Sequence, residues 1–125
     1  MISRAQRIER PLHWVGSAKR DLLRFPVAVI DNFGYGLGAV QLGNNPPGAK
    51  AWKGEGSGVV ELVENFQGDT YRTVYTVLFK YAIYVLHRFE KKSPSGIRTA
   101  RQDIQLIHER LKSAQADHEA RYGKK

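Results

Sequence analysis

The sequence predicts an α+β domain in which an antiparallel sheet of about four strands follows two helices and precedes a third. Three observations carry this expectation. Between Val59 and Lys92, three segments rich in Val, Tyr, Ile and Phe are divided by Gln67-Gly68-Asp69 and Phe79-Lys80-Tyr81, which read as short hairpin turns. Between Val27 and Val40, apolar residues recur at three- and four-residue spacing, and that period returns at Ile104, Ile107, Leu111 and Ala114. The length, 125 residues, suits one domain around one core.

Leu12-His13-Trp14-Val15 is a short strand-like segment, and Gly16-Ser17 offers a turn and an N-cap for a helix from Ala18 to Arg24. Pro26 suits the first turn of a second helix, whose apolar positions are Val27, Ile30, Phe33, Leu37 and Val40 and whose stop is Gly43. Gly34, Gly36 and Gly38 weaken that helix by roughly 1 kcal/mol each relative to Ala, which a closely packed neighbour would explain. Asn44 to Gly58 reads as a Gly- and Pro-rich loop carrying Lys50, Trp52 and Lys53. Thr99 and Gln102 form a capping-box pair at the start of the last helix, and Asp103 favours its positive end. The polar chain beyond Lys112 is expected to fray, so the single domain, 1–125, has frayed tails at 1–10 and 116–125.

Parity then sorts the sheet into faces. A two-residue loop near Gly68 leaves Glu61, Val63 and Asn65 on the same side as Arg72, Val74 and Thr76. A second two-residue loop, near Lys80, adds Ile83, Val85, His87 and Phe89. The opposite side collects Val60, Leu62, Phe66, Tyr71, Tyr75, Val77, Phe79, Tyr84 and Leu86 and is the better surface for the helices. The first side is therefore expected to stay open, holding Glu61, Asn65, Arg72, His87 and Phe89. Lys91 and Lys92 border it, together with Lys50 and Lys53 from the loop.

The formal net charge is +8 and the pI about 9.9, so attraction to nucleic acid or to an acidic protein is expected. With no cysteine, disulfides, thiolate nucleophiles and cysteine-bound zinc are excluded, and four scattered histidines make a poor metal site. No metal or cofactor is expected. The opening MISRAQRIER lacks the apolar core of a signal peptide, and no apolar run reaches about 18 residues, so a soluble, cytoplasmic protein is expected. Gly43-Asn44-Asn45-Pro46-Pro47-Gly48-Ala49-Lys50 is not a phosphate-binding loop: Ala49 separates the second Gly from Lys50, and two prolines lack backbone donors.

The open face suits RNA cleavage without a metal. That reaction needs a base for the ribose 2′-hydroxyl, cations for the charged phosphorane and an acid for the leaving oxygen. His87 or Glu61 would move protons, and Arg72 would grip two phosphate oxygens through its planar fork. Lys53, Lys91 and Lys92 would complete the cage as point charges. Phe89 and Trp52 would stack bases. Each has a plainer alternative: a structural histidine at 87, a cross-strand ion pair between Arg72 and Glu61, a solvated strand end at Lys91-Lys92, and a core-covering Trp52. Two other function classes remain open, a basic module that binds RNA or DNA without cutting it, and a protein-interaction partner.

The ordered set Pro11 to Ser17, Phe25-Pro26, Gly36 to Gly43, Lys50 with Lys53-Gly54, Gly58 to Leu62, Tyr71 to Tyr75 and Tyr84 to Ser93 resembles the phage-derived toxins of the RelE/HigB superfamily, the toxins of type II toxin-antitoxin modules. The resemblance covers nearly the whole chain. It implies a small RelE-like α/β fold with helices on one side of an antiparallel sheet, cleavage of mRNA, often on the ribosome, and neutralisation by a helix-turn-helix antitoxin. Residue by residue it points to Arg72, Lys91 and Lys92 first, then His87 and Phe89. Lys53 and Glu61 match without a firm catalytic assignment. Ala100 departs from the proline that many relatives carry at the start of the last helix.

Overall fold

The computed structural model describes residues 9–56, 58–91 and 101–123. Arg4, Arg7, Lys92, Thr99 and Ala100 lie outside them, as does the side chain of Lys91. The strands are β1 (Leu12–Trp14), β2 (Ala49–Ala51), β3 (Val59–Phe66), β4 (Asp69–Thr76) and β5 (Ile83–Lys91), joined in one sheet of order β1-β5-β4-β3-β2. Helices α1 (Ala18–Leu22) and α2 (Val27–Gln41) separate β1 from β2, and α3 (Arg101–Tyr122) follows β5. The α+β expectation holds, but the sheet has five strands and is mixed. β1 runs parallel to β5, because the intervening helices and meander carry the chain back to the same edge before it continues. β2 lies inside the expected loop, and its Ala-Lys-Ala sequence has too little strand propensity to announce it.

The first hairpin turns through Gln67 (φ 51°) and Gly68 (φ 88°), with Phe66 opposite Asp69. Two successive positive φ values match the right-handed twist of the flanking strands and fix the register. Glu61 therefore faces Val74 and Val63 faces Arg72, as parity requires. The second connection differs. Thr76 pairs with Tyr84 and Tyr75 with Val85, yet Val74 pairs with His87, so Leu86 is an extra residue in β5. This bulge resets parity within the strand. His87 and Phe89 join the Arg72 side as expected, while Ile83 and Val85 turn to the other side and Tyr84 to the Arg72 side. The Arg110 guanidinium donates to the Leu86 carbonyl at 2.9 Å and to Ser17 Oγ at 3.1 Å, tying the bulge to α3 and to the β1–α1 turn. Ser17 caps no backbone group; its hydroxyl donates to Asp21 instead, at 2.7 Å.

Helices cover both faces, which corrects the expectation of one open side. Leu62, Tyr71, Tyr75, Ile83 and Val85 pack against Phe25, Val29, Phe33, Leu37 and Val40 of the α1–α2 layer. Val59, Val74, Tyr84, Leu86 and Phe89 form a second apolar patch with Trp52, and Ile107 and Ala114 of α3 lie in that cluster. The stripe of α2 is shifted from the expected one, with Val29 buried and Val27 71% exposed. The close-packing account of the helix glycines holds for Gly36 alone, where an added Cβ would meet Leu62 Cδ2 at 2.7 Å; Gly34 and Gly38 face open space. Gly34→Ala and Gly38→Ala are each expected to raise stability by about 0.5–1 kcal/mol in a urea titration, and Gly36→Ala to lower it. A gain at Gly36 would show that Leu62 yields without cost.

On α3, Ile107, Ala114 and His118 are buried whereas Ile104 is exposed. The helix runs through Tyr122, so residues 116–122 are part of the packed fold and not a frayed tail. His118 accepts the Tyr81 backbone N–H at Nε2 (3.2 Å), and its ring stacks on Phe79 and Tyr81. Helical spacing from Ala114 to His118 and Tyr122 was the available signal, masked by the polarity between them. Arg10 is also anchored, its backbone exchanging hydrogen bonds with Gln41 and its guanidinium donating to the Phe79 carbonyl at 2.9 Å. Among the described residues no helix is long and apolar enough to cross a membrane.

Candidate functional site

Register alone gathers the candidates. One row across the sheet reads Lys50 on β2, Glu61 on β3, Val74 on β4 and His87 on β5, and the neighbouring row reads Val63, Arg72 and Phe89. Glu61 and His87 thus flank Val74 on either side, about 10 Å apart at two strand spacings. Arg72 stands two residues from Val74 on the same strand and lies diagonal to both. The three form a triangle whose Glu61–His87 edge passes over Val74, and the hairpin parity made that placement of Arg72 and Glu61 readable in advance. Lys50 joins the row only because β2 pairs with β3, which the sequence did not reveal.

An ion pair and a histidine–carboxylate hydrogen bond occupy the triangle. Arg72 Nη1 donates to Glu61 Oε1 at 2.8 Å, with the side chains 20% and 13% exposed. His87 Nε2 lies 2.7 Å from Asp103 Oδ1 on the first turn of α3. Asp103 entered the sequence reading only through its charge at the helix start, and its contact with His87 depends on how α3 docks, which no local pattern encodes. Among the described residues, Arg72 Nε, His87 Nδ1 and Trp52 Nε1 are buried without a hydrogen-bond partner. All three belong to residues gathered around Phe89: His87 and Trp52 by ring contact at 5.9 and 6.1 Å, Arg72 as its cross-strand partner. Thr73 Oγ1 and Arg88 Nε, on the other side of the sheet by register, are buried without a partner as well, so these atoms do not by themselves mark a site.

Burial holds the His87 imidazole below its ordinary value, and the Asp103 hydrogen bond and charge pull it part of the way back. Burial lowers His13 as well, with the Arg121 charge adding to the effect. A histidine whose folded pKa lies below its unfolded value of about 6.5 takes up its proton more readily when unfolded. The associated stability is complete above about pH 6.5 and is lost as pH falls. The thermal midpoint is therefore expected to drop between about pH 7 and about pH 5, with a shallower slope in His87→Gln. A flat midpoint across that range would mean that these imidazoles titrate alike folded and unfolded.

Phe89 and Trp52 are each 6% exposed and meet edge to face, so they sit in the core beneath the site instead of offering an open stacking platform. The second apolar patch claims them, which the alternating pattern of β5 did not disclose because of the bulge. Lys50 and Lys53 are exposed. Lys91 ends β5, paired with Thr70. Lys92 is outside the described residues. Among the described residues no three His, Asp or Glu side chains gather to hold a metal ion.

Comparison with curated proteins and with solved structures gives no match. The family model described as phage-derived protein Gp49-like matches residues 20–112, a stretch that takes in β2 to β5 and every member of the Glu61, Arg72, His87 and Asp103 group. The chain belongs to the Gp49-like family of phage-derived proteins, a family associated with the toxins of toxin-antitoxin systems.

Proposed function

We propose that this chain is the toxin of a type II toxin-antitoxin module, of RelE/HigB type, and that it is a metal-independent mRNA endoribonuclease acting in the cytoplasm, on the ribosome, under the control of a helix-turn-helix antitoxin. The observation that carries the reading is the triangle of Glu61, Arg72 and His87 on one sheet face of a chain with net charge +8. In this reading the ribose 2′-oxygen forms a bond to phosphorus as its proton passes to a base, and the bond from phosphorus to the 5′-oxygen breaks. A 2′,3′-cyclic phosphate and a 5′-hydroxyl result once the leaving oxygen is protonated. Arg72 presents charge to the phosphorane oxygens, the charges of Lys50, Lys53, Lys91 and Lys92 are assigned to holding the RNA phosphates, and Glu61 and His87 divide the proton transfers. Phe89 and Trp52 contribute by packing beneath these groups.

Expression of the chain alone is expected to arrest growth, and sequencing of cellular RNA ends after induction should reveal new 5′-hydroxyl ends that vanish in Arg72→Ala. Intact RNA bound with an affinity that falls steeply with salt would favour the non-cleaving module instead. Arrest without RNA binding or new ends would favour the protein-interaction reading.

A further inference from the structure

We infer that Asp103 is a positioning residue for His87: its carboxylate accepts the hydrogen bond from Nε2–H and so holds the imidazole as the Nε2–H tautomer, leaving Nδ1 as the ring nitrogen that can take a proton from a substrate hydroxyl. Identifying that hydroxyl with the ribose 2′-OH rests on the ribonuclease reading. The geometry is direct. Nε2 and Oδ1 are 2.7 Å apart, and a carboxylate accepts hydrogen bonds without donating, so the proton of this bond belongs to the ring. The other nitrogen, Nδ1, is buried without a partner. A buried N–H left unpaired is costly, whereas a bare lone pair is the milder orphan, so the neutral ring with its hydrogen on Nε2 is the arrangement that fits. The ring plane is held as well, with Phe89 stacked at 5.9 Å and 25°. Arg88 and Arg110 are the cations whose charges act on this ring, and both disfavour its protonated form.

The chemistry follows from the tautomer. A substrate hydroxyl that donates to Nδ1 can pass its proton there, giving an imidazolium whose Nε2–H still faces the Asp103 carboxylate. The charge that develops on the ring is met by one that is already in place. Nδ1 is closed to water in the free chain, so a substrate hydroxyl reaches it only when binding parts the groups that cover the ring. α3 thereby enters the site through one side chain, and the register of the helix on the sheet becomes a condition for proton transfer.

Nitrogen-15 NMR of the full chain, with His87 assigned by comparison with His87→Gln, reads the tautomer without reference to activity. The expected spectrum has a protonated Nε2 and a bare Nδ1, with the preference averaged out in Asp103→Ala. RNA cleavage is measured in parallel. In Asp103→Ala, kcat should fall about tenfold or more, a share of the ~10²–10⁴ that a positioned base supplies, with KM little changed. Asp103→Asn keeps an acceptor for Nε2–H and should restore part of kcat, and its acid limb should move to lower pH because the charge favouring the imidazolium is gone. Circular dichroism verifies that both variants fold. A dominant Nδ1–H tautomer in the native chain overturns the proposal, as does an Asp103→Ala variant with native kcat at every pH. If the native chain cuts no RNA, the ribonuclease reading falls while the NMR spectrum still decides whether Asp103 positions His87.

Discussion

Arg72→Ala is expected to abolish RNA cleavage, with kcat/KM lower by ~10²–10³, the range seen when one preorganised donor to a developing oxyanion is removed. The arginine is suited to this work by its surroundings. Its Nη1 is committed to Glu61 at 2.8 Å, which fixes the plane of the fork, and its Nε is buried and unpaired. A phosphate that meets the exposed part of the side chain finds a guanidinium already oriented, so little reorganisation accompanies the reaction. Lysine at this position keeps the charge and loses the fork, and Arg72→Lys should recover only a small part of the rate.

The same substitution also disturbs the fold, and the two effects are separable. Removing Arg72 leaves the Glu61 carboxylate, 13% exposed, without its partner, at about 1–3 kcal/mol. The double variant Glu61→Ala with Arg72→Ala removes the orphan as well and should regain much of that stability while remaining inactive. A double variant that is both stable and fully active would reduce the pair to a cross-strand contact and remove Arg72 from the site.

How much of this was legible follows the reach of the signals involved. The placement of Arg72 beside Glu61 was readable because the Gln67-Gly68 turn has two residues, and side-chain direction then follows from counting. The same count failed on β5, since that strand carries one extra residue, Leu86, whose carbonyl accepts from Arg110, a residue 24 positions away. That error put Ile83 and Val85 on the wrong side and hid the second apolar patch. Once Tyr84, Leu86, Val74 and Val59 are seen to share a side, a helix is needed to cover them, and α3 supplies it. Asp103 was out of reach for the same reason: its helix could be predicted, but its seat on the sheet could not.

Ile107→Ala is expected to destabilise the protein by about 2–5 kcal/mol, because a fully buried side chain would leave a cavity between α3 and the sheet. Against the ~5–15 kcal/mol that holds a typical domain together, this is the largest stability effect expected of any single change considered. A urea titration should show a lower midpoint with an unchanged slope, the sign that the folded state has been weakened without a change in the surface exposed on unfolding. Ile104→Ala is the control: Ile104 lies one turn earlier on the same helix, is 45% exposed, and should move stability by less than about 0.5 kcal/mol. Ile107 also sits four residues after Asp103, on the same side of α3. The anchor that seats the helix and the carboxylate that meets His87 are therefore consecutive contacts of one surface. Ile107→Ala should accordingly loosen the His87 tautomer preference in proportion to the helix's undocking, whereas Ile104→Ala should leave it intact. Equal destabilisation by the two would mean that α3 docks through a different side and that Asp103 reaches His87 by another route.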